Sequence, residues 1–143
     1  MYADGTLSDS QTFGSQEAAA KHVLSNIADL GETLNVEFAG DIVGAGIDKS
    51  GNQLFGYTRP VVVGENGGTY DPSGNALSSY HNHNGGRSHS PKFSPDDTVW
   101  VKNNKINMFM MNKTHKQFRV CEVNSYRCSG PGGYTRKGTV LEF

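Results

Sequence analysis

The chain has 143 residues, enough for one domain of ordinary size and too few for two. Its formal charge of −1 provides no general attraction to nucleic acid or to an anionic membrane, and no apolar run approaches the ~18 residues of a spanning helix. An apolar share of 35% and 18 glycines, against an average glycine use of roughly 7%, describe a loop-rich domain rather than a helical bundle.

Residues 1–14 are rich in Ser, Gly, Asp and Thr and are predicted to form a flexible lead-in to one domain over 15–143. They lack an apolar signal region, so no secretory address is expected in them. Ser15 is placed to open a helix. Ala20, Val23, Leu24, Ile27 and Leu30 then recur at helical spacing, and Gly31 is placed to stop it. An amphipathic helix of this kind packs on a sheet, and His22 beside its stripe reads as a boundary residue.

From Leu34 the period changes. Leu34, Val36 and Phe38 alternate with Asn35 and Glu37, and a second strand-like run covers Ile42 to Ile47. The turn signal Asp-Lys-Ser-Gly-Asn (48–52) precedes a returning strand, Leu54 to Tyr57, and Val61 to Val63 forms another after Pro60. Residues 64–75 read as a glycine-rich loop, Ser78 to His83 as a strand, and 84–93 as loop. Ser94-Pro95-Asp96-Asp97 is a helix start with Ser at the N-cap, Pro in the first turn and acids behind it. That helix is expected to end near Asn103. A hairpin follows over Ile106 to Met111 and Gln117 to Val123, with a last strand near Val140 to Phe143. The expected fold class is α/β (α+β): a single mixed, mainly antiparallel sheet flanked by helices.

The two cysteines, Cys121 and Cys128, are separated by six residues. A short bridged loop and a pair of reduced thiols both remain open from the sequence. Neither cysteine reads as a zinc ligand, since structural sites favour closer pairs and a second pair elsewhere.

His81 and His83 stand at i and i+2 on a predicted strand, so both rings point to one face. A carboxylate at the start of the next helix, Asp96 or Asp97, is the nearest candidate for a third ligand. Two histidines and one carboxylate describe a catalytic zinc site with a fourth position left for water, whose pKa zinc lowers to about 7. Glu37 is the candidate general base, with Glu65 in the glycine loop as its competitor. Ser94 is placed to donate a hydrogen bond to a developing oxyanion. Bland readings stand beside these: the histidines as exposed strand residues, Ser-Pro-Asp-Asp as a helix cap alone, and Glu37 as a solvated edge-strand acid. His115 reads as a solvated turn residue, Trp100, Phe109 and Phe118 as core, and Arg127, Arg136 and Lys137 as a solvated face.

His-Asn-His (81–83), a glycine-bearing loop and Ser-x-x-Asp (Ser94, Asp97), with Glu37 upstream, resemble the JAMM (MPN-type) zinc metallopeptidase motif. His-Asn-His resembles in particular the RadC-type branch. The wider pattern of Glu-Phe-Ala-Gly (37–40), Tyr-His-Asn-His (80–83) and Phe-Ser-Pro-Asp-Asp (93–97) is similar to a JAMM-like domain found at the C-terminus of Rhs-repeat and other polymorphic bacterial toxins. The resemblance covers roughly residues 15–125 and rests on about eight positions.

It implies a JAMM/cytidine-deaminase-like layer architecture. It makes His81, His83 and Asp97 the Zn2+ ligands, Glu37 the general acid/base and Ser94 the oxyanion helper. It further implies an amide or isopeptide substrate in a protein or peptide, and delivery as the toxic end of a larger secreted bacterial protein. An immunity protein is then an expected partner; no nucleic acid and no membrane segment are expected. The sequence departs from the pattern at Asn84, where proline is usual, and in a His83–Ser94 gap about three residues longer than usual, which carries His89. Two other readings stay open: a metal-dependent nuclease toxin, and a JAMM-like binding module without turnover.

Overall fold

A computed structural model describes residues 11–64, 70–84, 92–132 and 135–143. Glu65, His89 and most of the residues that lengthen the His83–Ser94 gap lie outside them. Helix α1 (Gln16–Leu34) starts as the sequence expects, with the Ser15 hydroxyl accepting the Ala18 N–H at 3.0 Å. It does not stop at Gly31. It runs on to Leu34 and ends where Asn35 adopts the left-handed conformation, φ 55°, and its N–H caps the carbonyls of Glu32 and Gly31. Gly31 is therefore a helix-interior glycine, and the reason lies in what approaches it. A Cβ there would collide with the Asn82 carboxamide and lie 2.9 Å from the Val36 carbonyl oxygen.

The two strand-like runs expected before residue 48 are one strand, β1 (Glu37–Ile47). Gly40 falls mid-strand, and its alternation looks broken because the Tyr80 ring occupies the space of the missing side chain. The remaining elements are β2 (Gln53–Tyr57), β3 (Val61–Gly64), β4 (Ser78–Asn82), α2 (Pro95–Asn104), β5 (Asn107–Asn112), β6 (Gln117–Cys121) and β7 (Thr139–Val140). Among the described residues these seven strands form one sheet in the order β2-β1-β4-β5-β6-β7. β3 pairs with the N-terminal half of β1, on the edge whose other half pairs with β2. All pairings are antiparallel except β4 with β5, which the α2 crossover joins. The fold is thus mixed α/β, a mainly antiparallel sheet flanked by two helices.

The pleat sorts the strand residues into two cores. Ile42, Tyr80, Phe109, Met111 and Phe118 pack with Ala20, Val23 and Leu24 of α1. Met108, Met110 and Cys121 point the other way, where they meet Phe93, Val101 of α2 and Cys128. Truncating a fully buried ring such as Phe118 to alanine costs about 3–5 kcal/mol. Cys121 and Cys128 are joined in a disulfide within the smaller core. Phe109 and Phe118 are core as expected. Trp100 is only partly buried, and its indole N–H donates to the Tyr70 carbonyl at 2.7 Å.

Candidate metal centre

The site lies on the α2 face of the sheet. Because β4 alternates, Ser79, His81 and then His83 share that face while Tyr80 and Asn82 point toward α1. His83 stands one residue beyond the strand, its N–H held by the Met111 carbonyl at 3.0 Å. The two imidazoles sit edge to face with ring centroids 4.6 Å apart, and their Nε2 atoms are separated by 2.8 Å. Both rings are buried rather than exposed on a strand surface.

Asp97 comes to them from the first turn of α2. Ser94 and Asp97 form a reciprocal capping box: the Ser94 hydroxyl accepts the Asp97 N–H at 3.1 Å, and Asp97 Oδ2 accepts the Ser94 N–H at 2.9 Å. That same Oδ2 lies 3.1 Å from His83 Nε2 and 3.4 Å from His81 Nε2. The helix cap and the histidine pair thus meet on a single carboxylate oxygen. Asp96 is exposed, and of the two acids it is Asp97 whose carboxylate reaches the histidines.

Glu37 opens β1 and is buried at 5% exposure rather than solvated; it pairs with Gly64 of β3, while the β4 ladder on the other side begins at Ala39. Two residues before Ala39, which pairs with His81, Glu37 falls on the same face of the sheet as the histidines. A Glu37 carboxylate oxygen and the two histidine nitrogens all lie within 4.8 Å of one another. Glu37, His81 and His83 form a buried cluster that could hold a divalent metal.

The donor set fits such an ion. Imidazole nitrogens and carboxylate oxygens suit zinc and its neighbours, and no thiolate competes because the cysteines are paired. A triangle with sides of 2.8, 3.1 and 3.4 Å contains His81 Nε2, His83 Nε2 and Asp97 Oδ2. A single point can stand roughly 2.0–2.1 Å from each corner, the usual zinc-ligand distance.

Without an ion, the charges compensate one another. Burial works against a protonated His81, but the Asp97 carboxylate, and behind it Glu37, outweigh burial and raise its pKa above the ordinary histidine value. Burial likewise opposes the Asp97 charge, yet the His81 and His83 rings hold that carboxyl well below the usual carboxylate range.

The cluster opens on a cavity of about 630 Å³, within the range of small-ligand sites. Val63, Tyr70, Val99, Trp100 and Met108 give it apolar walls, and Ser94 lines its rim beside Asp97. Tyr70 also faces this cavity. Its hydroxyl donates to Asp41 Oδ1 at 2.9 Å, and burial first, then the Asp41 charge, push its pKa far up. Only three-dimensional proximity reveals it, since it sits in a stretch with no periodic pattern. Arg136, expected on a solvated face, is instead half-buried and brackets Phe93: its carbonyl accepts the Phe93 N–H at 2.9 Å and its Nε donates to the Phe93 carbonyl at 3.0 Å, anchoring the residue before Ser94.

No protein-family model matches the chain, and no curated protein or solved structure matches it significantly. Among the described residues, no helix is long and apolar enough to cross a membrane.

Proposed function

We propose that the protein is a zinc-dependent hydrolase of an amide or isopeptide bond, built on a JAMM-like site. The observation that carries this reading is the meeting of His81 Nε2, His83 Nε2 and Asp97 Oδ2 within 3.4 Å of one another. The buried Glu37 carboxylate stands beside them at the head of a cavity. His81, His83 and Asp97 hold the ion in this proposal, and Glu37 is kept for proton transfer. A JAMM/cytidine-deaminase-like layer architecture is part of the proposal, supported by the α1–β–α2 layering of the sheet.

Zinc bound there supplies Lewis acidity toward the amide carbonyl and makes water nucleophilic near neutral pH. Glu37 takes the proton released from water and passes it to the departing amine nitrogen. Its place on a strand, not a loop, fixes the distance over which that proton moves. The Ser94 hydroxyl accepts the Asp97 N–H, which leaves its own hydrogen available for the oxygen on which negative charge develops. The apolar walls exclude water around the bond being cut.

The same resemblance supports a role as the effector end of a larger secreted bacterial protein, acting on a protein or peptide and held in check by an immunity protein. The test is incubation of the zinc-loaded protein with a mixed peptide and isopeptide library, alongside plasmid DNA and total RNA. New amine termini that disappear with Glu37→Gln are expected. Nucleic-acid cleavage abolished by His81→Ala replaces the peptidase reading with that of a nuclease.

A further inference from the structure

Glu37 sits where the sheet is least regular. The β1–β4 ladder runs from Ile42–Ser78 to Ala39–His81 and stops there, so Phe38 and Glu37 have no backbone partner on β4. β4 instead turns toward β5, to whose Met111 carbonyl the His83 N–H donates. On its other edge the β1–β3 register shifts between Glu37 and Phe38, with Val63 of β3 left over between their partners. Left alone, such a strand end frays.

One side chain fills the gap. Asn82, the middle residue of His-Asn-His, is fully buried and points away from the histidines. Its Oδ1 accepts the Phe38 N–H at 2.7 Å, and its Nδ2 faces the Val36 carbonyl at 3.4 Å. These are the backbone groups on either side of Glu37. Asn84, with its amide nitrogen turned toward them, donates to the carbonyls of Val36 and Gly31 at 3.2 Å each. A proline there has no side-chain amide to donate. Gly31 completes the arrangement, because any larger residue in that helical turn collides with the Asn82 carboxamide.

We propose that Asn82 is a positioning residue for Glu37: its carboxamide stands in for the missing β-bridge and fixes the Glu37 backbone, while the strands stay splayed enough to admit a substrate or ion between Glu37 and His83. The same strand thus presents the metal-binding imidazoles on one face and the brace for the carboxylate on the other. The purpose of the brace rests on the metal-centre reading above; its existence does not.

The test compares the full chain with Asn82→Ala, Asn82→Asp, Glu37→Gln and Leu24→Ala, the last a core variant on the α1 face that destabilises without touching the brace. Amide hydrogen exchange is followed at Phe38 and at Ile42, and cobalt(II) is titrated as a spectroscopic probe. Asn82→Ala is expected to speed exchange at Phe38 at least tenfold relative to Ile42, and to move the cobalt spectrum toward that of Glu37→Gln. Asn82→Asp keeps the acceptor, so Phe38 stays protected, but loses the donor to Val36 and shifts the spectrum in the same direction. It also serves if the alanine variant does not fold. Changes at Phe38 and in the spectrum no larger than those of Leu24→Ala overturn the proposal. A wild-type chain that takes up no cobalt overturns the metal reading instead, and exchange at Phe38 still decides the brace.

Discussion

At Glu37 a buried carboxylate at the head of a strand lies within 4.8 Å of two imidazole nitrogens, away from the helix cap that holds Asp97. A residue so placed is expected to transfer protons. Glu37→Gln should lower amide hydrolysis by about 10²–10⁴-fold while zinc content stays at the wild-type level; parallel turnover and metal assays check this. The neighbouring charges give a second expectation. A histidine raised on folding, as His81 is, contributes its full stabilisation below the unfolded value of about 6.5 and loses it as pH climbs through the raised value. A carboxyl depressed on folding, as Asp97 is, contributes fully above about 3.9 and loses its share as pH falls through the folded value. The metal-free protein should therefore melt highest between about pH 4 and 6.5 and decline on the alkaline side. His81→Ala should flatten that alkaline limb; a limb unchanged by the substitution contradicts the pairing.

At the scale of elements, α2 has the most to lose from a single change. Ser94→Ala removes the N-cap hydroxyl and should cost about 1 kcal/mol in urea unfolding, and it should weaken zinc binding because the box holds Asp97 in place. Gly31→Ala tests the helix–strand contact. Helix propensity alone favours alanine by about 0.8–1 kcal/mol, but the collision with Asn82 and the approach to the Val36 carbonyl should reverse the sign, giving a net loss of about 1–3 kcal/mol. The helix ends and the first strand also show where sequence reading works and where it stops. The Ser15 and Ser94 caps were legible because a hydroxyl before an apolar or acidic turn has a local physical role. The end of α1 and the unity of β1 were not. Gly31 and Gly40 mimic breaks in pattern, and only the Asn82 and Tyr80 side chains, distant in sequence, explain them. In the site itself the shared face of His81 and His83 was legible from strand spacing, and an acid from the Ser94 cap was expected near them with Asp96 and Asp97 both open, whereas Tyr70, Asn82 and Arg136 act through contacts that no local period encodes.

For the molecule as a whole, the two faces of the sheet divide the labour. The α1 face holds most of the apolar core, and the α2 face pairs a smaller core with the cavity. The disulfide reinforces that smaller core. Closing a loop of sequence separation 7 is worth about 2–3 kcal/mol by loop entropy. A Cys121→Ala, Cys128→Ala double variant should unfold correspondingly earlier in urea yet keep its metal, since neither sulfur lies among the ligands. The measurement that bears most directly on the central claim is elemental analysis of the purified, dialysed protein beside its His81→Ala variant. One equivalent of zinc or a similar transition metal per chain in the first, and a small fraction of that in the second, is the expected result. A wild-type chain without stoichiometric metal, or a variant that retains the full equivalent, contradicts it.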